Sequence, residues 1–162
     1  MWNRALEKLA GLTELDEAVR EATASRGNAS IFAAASCTLG LGAVTRPTQL
    51  DRIPRTGPLI VVANRPTGFA EGFVVPALID ALRPDMMVLA HCWFARWPAL
   101  ARRMILNDPD AGAVAGPAEL FRNAVQQLTR GGCLVMFPAC EGTGGHPGTV
   151  RGPEKSWGPF LG

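Results

Sequence analysis

Three features of the sequence predict an α/β fold with a largely parallel central sheet flanked by helices. Pro58–Ala63 (PLIVVA) is short, β-branched and apolar without alternation, as expected of a central parallel strand covered on both faces. Pro117–Arg130 (PAELFRNAVQQLTR) reads as a helix that opens on proline and stops at Gly131 and Gly132. Cys133–Phe137 (CLVMF) follows it directly as a second buried strand.

The other elements fall into place around these. Leu6, Leu9, Leu12, Leu15 and Val19 recur at three- and four-residue spacing between charged residues, which predicts an amphipathic helix or a helical pair broken at Gly11. Gly27–Thr45 carries no charge over 19 residues. That is close to the roughly 20 needed to cross a bilayer, but Ala, Gly, Ser and Asn dominate it, so a helix buried against the sheet is the better reading. Pro54–Pro58 (PRTGP) is a turn signal before the first strand. Beyond the loop Asn64–Gly72, Phe73–Leu82 predicts a helix and Met86–Ala90 the next strand, a β-loop-α-β order. From Pro138 onward, glycine and proline are dense and no element is predicted. The expected organisation is a single domain: an N-terminal helical region (1–45), an α/β core (46–137) and a terminal loop (138–162) that is either a mobile active-site loop or lacks the part that would pack against it.

Composition narrows the function. A chain of 162 residues is long enough for one core, since a domain of about 150 buries roughly 70% of its unfolded surface. With 48% hydrophobic and 19% charged residues it is not a disordered chain, and a net charge of +2 does not point to a nucleic-acid partner. Cys37, Cys92, Cys133 and Cys140 form no CxxC pair and sit in apolar or strand-like sequence, so neither a zinc site nor a disulfide framework is indicated. Charges between the apolar positions of MWNRALEKLAGL exclude a secretory signal, and a reducing cytoplasm is expected.

Two polar loops follow two predicted strands, NRPTGFAEG at Asn64–Gly72 and FPACEGTGG at Phe137–Gly145. Ligands of open α/β sheets gather at the carboxyl ends of parallel strands. Arg65, Glu71, Glu141 and the amides of Gly142–Gly145 are therefore candidates for one crevice.

Several segments in order resemble the phospholipid/glycerol acyltransferase family, of the lysophosphatidate acyltransferase type. They are IPRTGPLIVVAN at Ile53–Asn64, RPDMMVLA at Arg83–Ala90, LTRGG at Leu128–Gly132 and CLVMFPACEGT at Cys133–Thr143. The resemblance covers roughly Leu12 to Cys140 and implies an acyltransferase-like fold. It implies transfer of an acyl group from acyl-CoA or an acyl carrier protein to the hydroxyl of a lysophospholipid or glycerol-phosphate-like acceptor, with no other cofactor and no metal. It implies a cytoplasmic protein in peripheral contact with the inner face of the membrane.

Where the family has Asn-His-Pro and a following Asp, this chain has Asn64-Arg65-Pro66 and Glu71. The family's histidine is the general base and its aspartate the orienting carboxylate; the commoner spacing would put Ala70 at the second position, and the longer spacing of some branches gives Glu71. By the same resemblance Asn64, Pro66, Thr67, Gly68, Phe137, Pro138, Glu141 and Gly142 contact substrate. The catalytic motif is degenerate: a guanidinium has no acceptor lone pair and stays protonated, so Arg65 cannot be a general base. An Arg65–Glu71 salt bridge is the expected replacement, and a pseudoenzyme the expected consequence. Cys140 stands where the second motif usually has glycine, and the family's later strand and return segment are missing because the sequence stops at Gly162.

Each assignment has a structural competitor. Arg65 is equally readable as a solvated cation or as a phosphate contact, and Glu71 beside Gly72 reads first as a helix cap. His91 with Cys92, and Cys140 with His146, are weak thiol pairs, because sequence spacing does not bring such residues together. Trp93, Trp97, Leu100 and Met104 recur at helical spacing, with Arg96, Arg102 and Arg103 mainly elsewhere on the wheel. That predicts either a helix packed on the sheet or an interfacial helix touching anionic lipid.

Overall fold

The computed structural model describes residues 12–24, 30–65, 70–107 and 117–138. Four strands form one parallel sheet: β1 (Leu59–Val62), β2 (Met87–His91), β3 (Met104–Asn107) and β4 (Cys133–Met136), in the order β1-β4-β2-β3. The helices are α1 (Leu12–Ala24), α2 (Ile31–Thr38), α3 (Pro47–Leu50), α4 (Glu71–Asp80), α5 (Pro98–Ala101) and α6 (Pro117–Thr129), with a 3-10 helix at Cys92–Arg96. The predicted α/β class with a parallel sheet is the observed one.

Alternation along the strands divides the core in two, because successive side chains of a strand point to opposite faces. Cys133 and Val135 of β4, with Val88 of β2 and Met104 of β3, pack against Leu15, Ala18 and Val19 of α1, Phe32 of α2 and Phe73 and Ile79 of α4. Leu134 and Ile105, on the other face, pack against Leu120 and Ala124 of α6. The uncharged 27–45 segment supplies α2, capped by the Ser30 hydroxyl, which accepts from the Phe32 N–H, and ended beyond Thr38 by Gly40 at φ +66°. It packs on α1 and α4, as a buried helix should, and no helix among the described residues is long and apolar enough to cross a membrane.

Two expectations are corrected. β1 is an edge strand, and the interior positions belong to β2 and to β4, whose four residues are all buried. Leu59 and Val61 of β1 pack on the first core, whereas Ile60 and Val62 are 49% and 37% exposed. An apolar run marks a strand without saying which neighbours it acquires. Nor do Trp93, Trp97, Leu100 and Met104 lie on one helix. The chain turns through the 3-10 helix, restarts as one turn of α5 at Pro98, and Met104 opens β3, a strand not anticipated from the sequence. Proline favours a first helical turn and cannot continue the preceding hydrogen-bond ladder, so a helical spacing is split here into three elements.

The amino ends of three strands are tied together by one side chain. Arg83 is 1% exposed and makes a two-pronged pair with the Asp85 carboxylate, Nε to Oδ1 at 2.9 Å and Nη2 to Oδ2 at 2.7 Å. It also donates to the carbonyls of Pro54 (3.1 Å), Gly57 (2.8 Å) and Gly131 (2.9 Å). Gly57 and Gly131 adopt φ of +83° and +79°, the left-handed region that glycine enters without strain, and this aims both carbonyls at the guanidinium. Hydrogen bonding to Asp85 raises the Arg83 pKa, and the reciprocal bond from Arg83 lowers that of Asp85.

Candidate functional site at the carboxyl edge

All four strands run the same way, so their carboxyl ends share one edge. β1 and β4 are neighbours, in the register Val62 opposite Met136, and the ladder continues with the Ala63 N–H donating to the Met136 carbonyl at 3.2 Å. This sets Asn64 and Arg65 beside Phe137 and Pro138. The two post-strand loops expected to converge thus begin on neighbouring strands; Pro66, Thr67, Gly68, Cys140, Glu141, Gly142 and His146 lie outside the described residues.

Arg65 is half-buried and its guanidinium lies over the Phe137 ring, 5.9 Å from the centroid. Its Nε is shielded from solvent and has no hydrogen-bond acceptor among the described residues. The expected Arg65–Glu71 salt bridge is not formed: among the described residues the ion pairs of arginine involve Arg20, Arg55, Arg83, Arg96 and Arg103. Glu71 instead opens α4, in the first turn, where a carboxylate interacts favourably with the helix dipole. Among the described residues the guanidinium thus meets an aromatic face rather than a carboxylate, and it offers N–H donors but no proton-accepting atom.

The same edge carries two residues outside the Asn64-Arg65-Pro66 and Phe137-Pro138 segments. His91 closes β2 and Cys92 begins the 3-10 helix, with Cys92 Sγ 3.6 Å from His91 Nδ1. The Trp93 N–H donates to that nitrogen at 3.1 Å, so His91 caps the turn. β2 pairs with β4 in the register Val88 opposite Val135 and with β3 in the register His91 opposite Asn107. His91 and Asn107 are the last residues of β2 and β3, and Asn64 and Pro138 lie two residues past β1 and β4, so the four stand in a row along the carboxyl edge. The sequence signal for this row was the strand-end position of each residue; the strand order was needed to join them.

Cys133 begins β4 at the other end, fully buried, and desolvation raises its pKa. Cys37 is exposed on α2. Among the described residues, no group of three or more His, Cys, Asp and Glu side chains is arranged to hold a metal ion.

The aromatic segment after Cys92 is largely committed to packing. Trp97 is 7% exposed and its indole N–H donates to Asp16 Oδ1 of α1 at 2.7 Å. Arg96 pairs with the same carboxylate at 3.5 Å and lies over the rings of Trp93 and Trp97. Arg103 pairs with Asp80 of α4. Two of the three arginines expected to face lipid are therefore occupied within the protein, and Leu100 and Met104 are core residues.

No family model matches the chain, and no curated protein or solved structure matches it.

Proposed function

We propose that the carboxyl edge of the sheet carries an acyltransferase-type site for an acyl thioester, from CoA or an acyl carrier protein, and a lysophospholipid or glycerol-phosphate-like acceptor, with the proton-accepting position lost to Arg65. The observation that supports this reading is the adjacency of β1 and β4, which sets Asn64-Arg65 beside Phe137-Pro138, the two segments carrying the resemblance. In an enzyme of this kind a general base takes the acceptor's hydroxyl proton as the oxygen attacks the thioester carbonyl, and such a base contributes about 10²–10⁴-fold. A guanidinium supplies none of that. It offers fixed N–H donors to an anion, and stacking on Phe137 limits its rotamers, so Arg65 acts as a binding group for the phosphate or carboxylate of a ligand. The second reading, a non-catalytic protein that binds acyl chains or lipid, is favoured by the same arginine.

Free-thiol release from acyl-CoA, measured across several acceptors, separates the two. Arg65→His with Glu71→Asp introduces an imidazole with an ordinary pKa near 6.5 together with the carboxylate that the resemblance implies as its orienting group, at a position where Glu71 does not pair with Arg65. An acyltransferase site gains acceptor-dependent thiol release in the double variant, up to about 10²-fold or more, and less in Arg65→His alone. No gain from a double variant with an unchanged circular dichroism spectrum leaves the binding protein as the function.

A further inference from the structure

We infer that the open edge of β3 is a docking strip for an extended, acidic peptide segment of a partner protein, which adds to the sheet as a further strand beside α6. The inference is independent of the carboxyl-edge site and of any acyl chemistry.

β3 ends the strand order β1-β4-β2-β3, with β2 on one side of it. Val88 stands opposite Met104, and the Val88 N–H donates to the Arg103 carbonyl at 2.9 Å. Backbone groups alternate in direction along a strand, so Arg103, Ile105 and Asn107 turn theirs toward β2, and the N–H and C=O of Met104 and Leu106 point away from it. Among the described residues nothing bonds to these outward groups, which makes the edge a template for another strand. A groove of about 470 Å³ runs along it, walled by Met104, Ile105 and Leu106 on one side and by Asn123, Gln126 and Arg130 on the other. That volume is in the range of ligand sites. Consecutive side chains of a strand point to opposite faces, so three consecutive lining residues mean that the groove follows the backbone edge of β3 rather than one face of the sheet.

The opposite wall is polar and unpaired. Asn123 and Gln126 of α6 and Arg130, just past its end, recur at three- and four-residue spacing and are exposed. None of these three side chains has a hydrogen-bond or ion-pair partner among the described residues, whereas the neighbouring Gln127 donates to the carbonyls of Asp85 and Cys133. Arg130 is the one charged residue among those lining the groove, and no carboxylate faces it there, so the complementary occupant is anionic. Seven helical residues rise about 10 Å, as do three strand residues, and the polar row therefore runs the length of the strip. α6 is followed by Gly131, Gly132 and then β4, which sets Arg130 at the amino end of the sheet, the Met104 end of the strip. A segment that pairs its backbone with Met104 and Leu106 and carries a carboxylate near Met104 meets both walls at once.

The probes are fluorescein-labelled hexapeptides of alternating valine and threonine, each with one glutamate at a different position, titrated with the full chain by fluorescence anisotropy. One position should bind best. Replacing that glutamate by glutamine, or Arg130→Gln in the protein, should each weaken binding about 10-fold, and the two losses should not add, because they delete the same contact. Methylation of alternate peptide amides should abolish binding, and in amide exchange followed by NMR the Met104 and Leu106 N–H groups should slow when the unmethylated peptide is bound. The inference is overturned by the absence of saturable binding up to about 1 mM protein, by equal affinity of Arg130→Gln or of the methylated peptide, or by displacement of the peptide by an equal concentration of N-acetylglutamate, which would mean that the groove takes an anion alone. Slow exchange at Met104 and Leu106 without peptide, in a protein that sediments as a dimer, would overturn it too, since a second copy would then hold the edge.

Discussion

Replacing Arg83 by methionine tests the tie that holds the amino ends of three strands together. The substitution keeps the aliphatic stem and removes a guanidinium that is 1% exposed. Left behind are the carbonyls of Pro54, Gly57 and Gly131 without that donor and the Asp85 carboxylate without its cation. Removing one member of a buried, hydrogen-bonded ion pair costs about 3–5 kcal/mol, and each buried carbonyl left unsatisfied costs about 1–3 kcal/mol. These costs do not add in full. Asp85 is 45% exposed and water takes over part of its solvation, so a total of about 4 kcal/mol is expected. For a domain of this size each kcal/mol lowers the melting temperature by about 2–4 °C, giving a drop of about 8–16 °C. Urea unfolding followed by circular dichroism at neutral pH measures the loss directly. Arg83→Lys should fall between, because one ammonium cannot form the planar pair with Asp85 and still reach three carbonyls. A loss below about 1 kcal/mol in Arg83→Met would refute the assignment of Arg83 as the tie between strands.

Three further outcomes follow from the same geometry. Arg83 depresses the Asp85 pKa, so this carboxylate's contribution is fully present above its unfolded value of about 3.9 and is lost as pH falls through the lower folded value. The stability gap between the parent and Asp85→Asn, about 1 kcal/mol after allowing for exposure, should be flat from pH 5 to 8 and close below about pH 4 in an acid series of urea curves. Gly132→Ala should destabilise by about 1–3 kcal/mol in the same assay. Its Cβ would lie 2.7 Å from the Gln127 carbonyl oxygen and displace an amide that donates to Asp85 O and Cys133 O. Vesicle flotation with anionic lipid should show little salt dependence, since Arg96 and Arg103 are paired within the protein; recovery that falls with salt and with Arg102→Ala would restore the interfacial role for this segment.

Much of the fold was determined by the sequence alone, and the reason is local. The apolar run of β4, the proline start and glycine stop of α6, the spacing of Leu15 and Val19 in α1 and the uncharged α2 each encode an element through contacts within a few residues. The incapacity of Arg65 as a base was equally legible, because it is a property of the guanidinium in any fold. What the tertiary structure decided is relational. That β4 lies between β1 and β2, leaving β1 at the edge, depends on a crossover connection that returns the chain across the sheet, and no single segment carries it. Only with that order do Arg65 and Phe137 meet, does His91 join the row of strand ends, and does Arg83 reach carbonyls 26, 29 and 48 residues away. The helical spacing from Trp93 to Met104 misled for the same reason: Trp97 and Met104 are buried by different partners, and burial rather than one continuous helix explains why both are apolar.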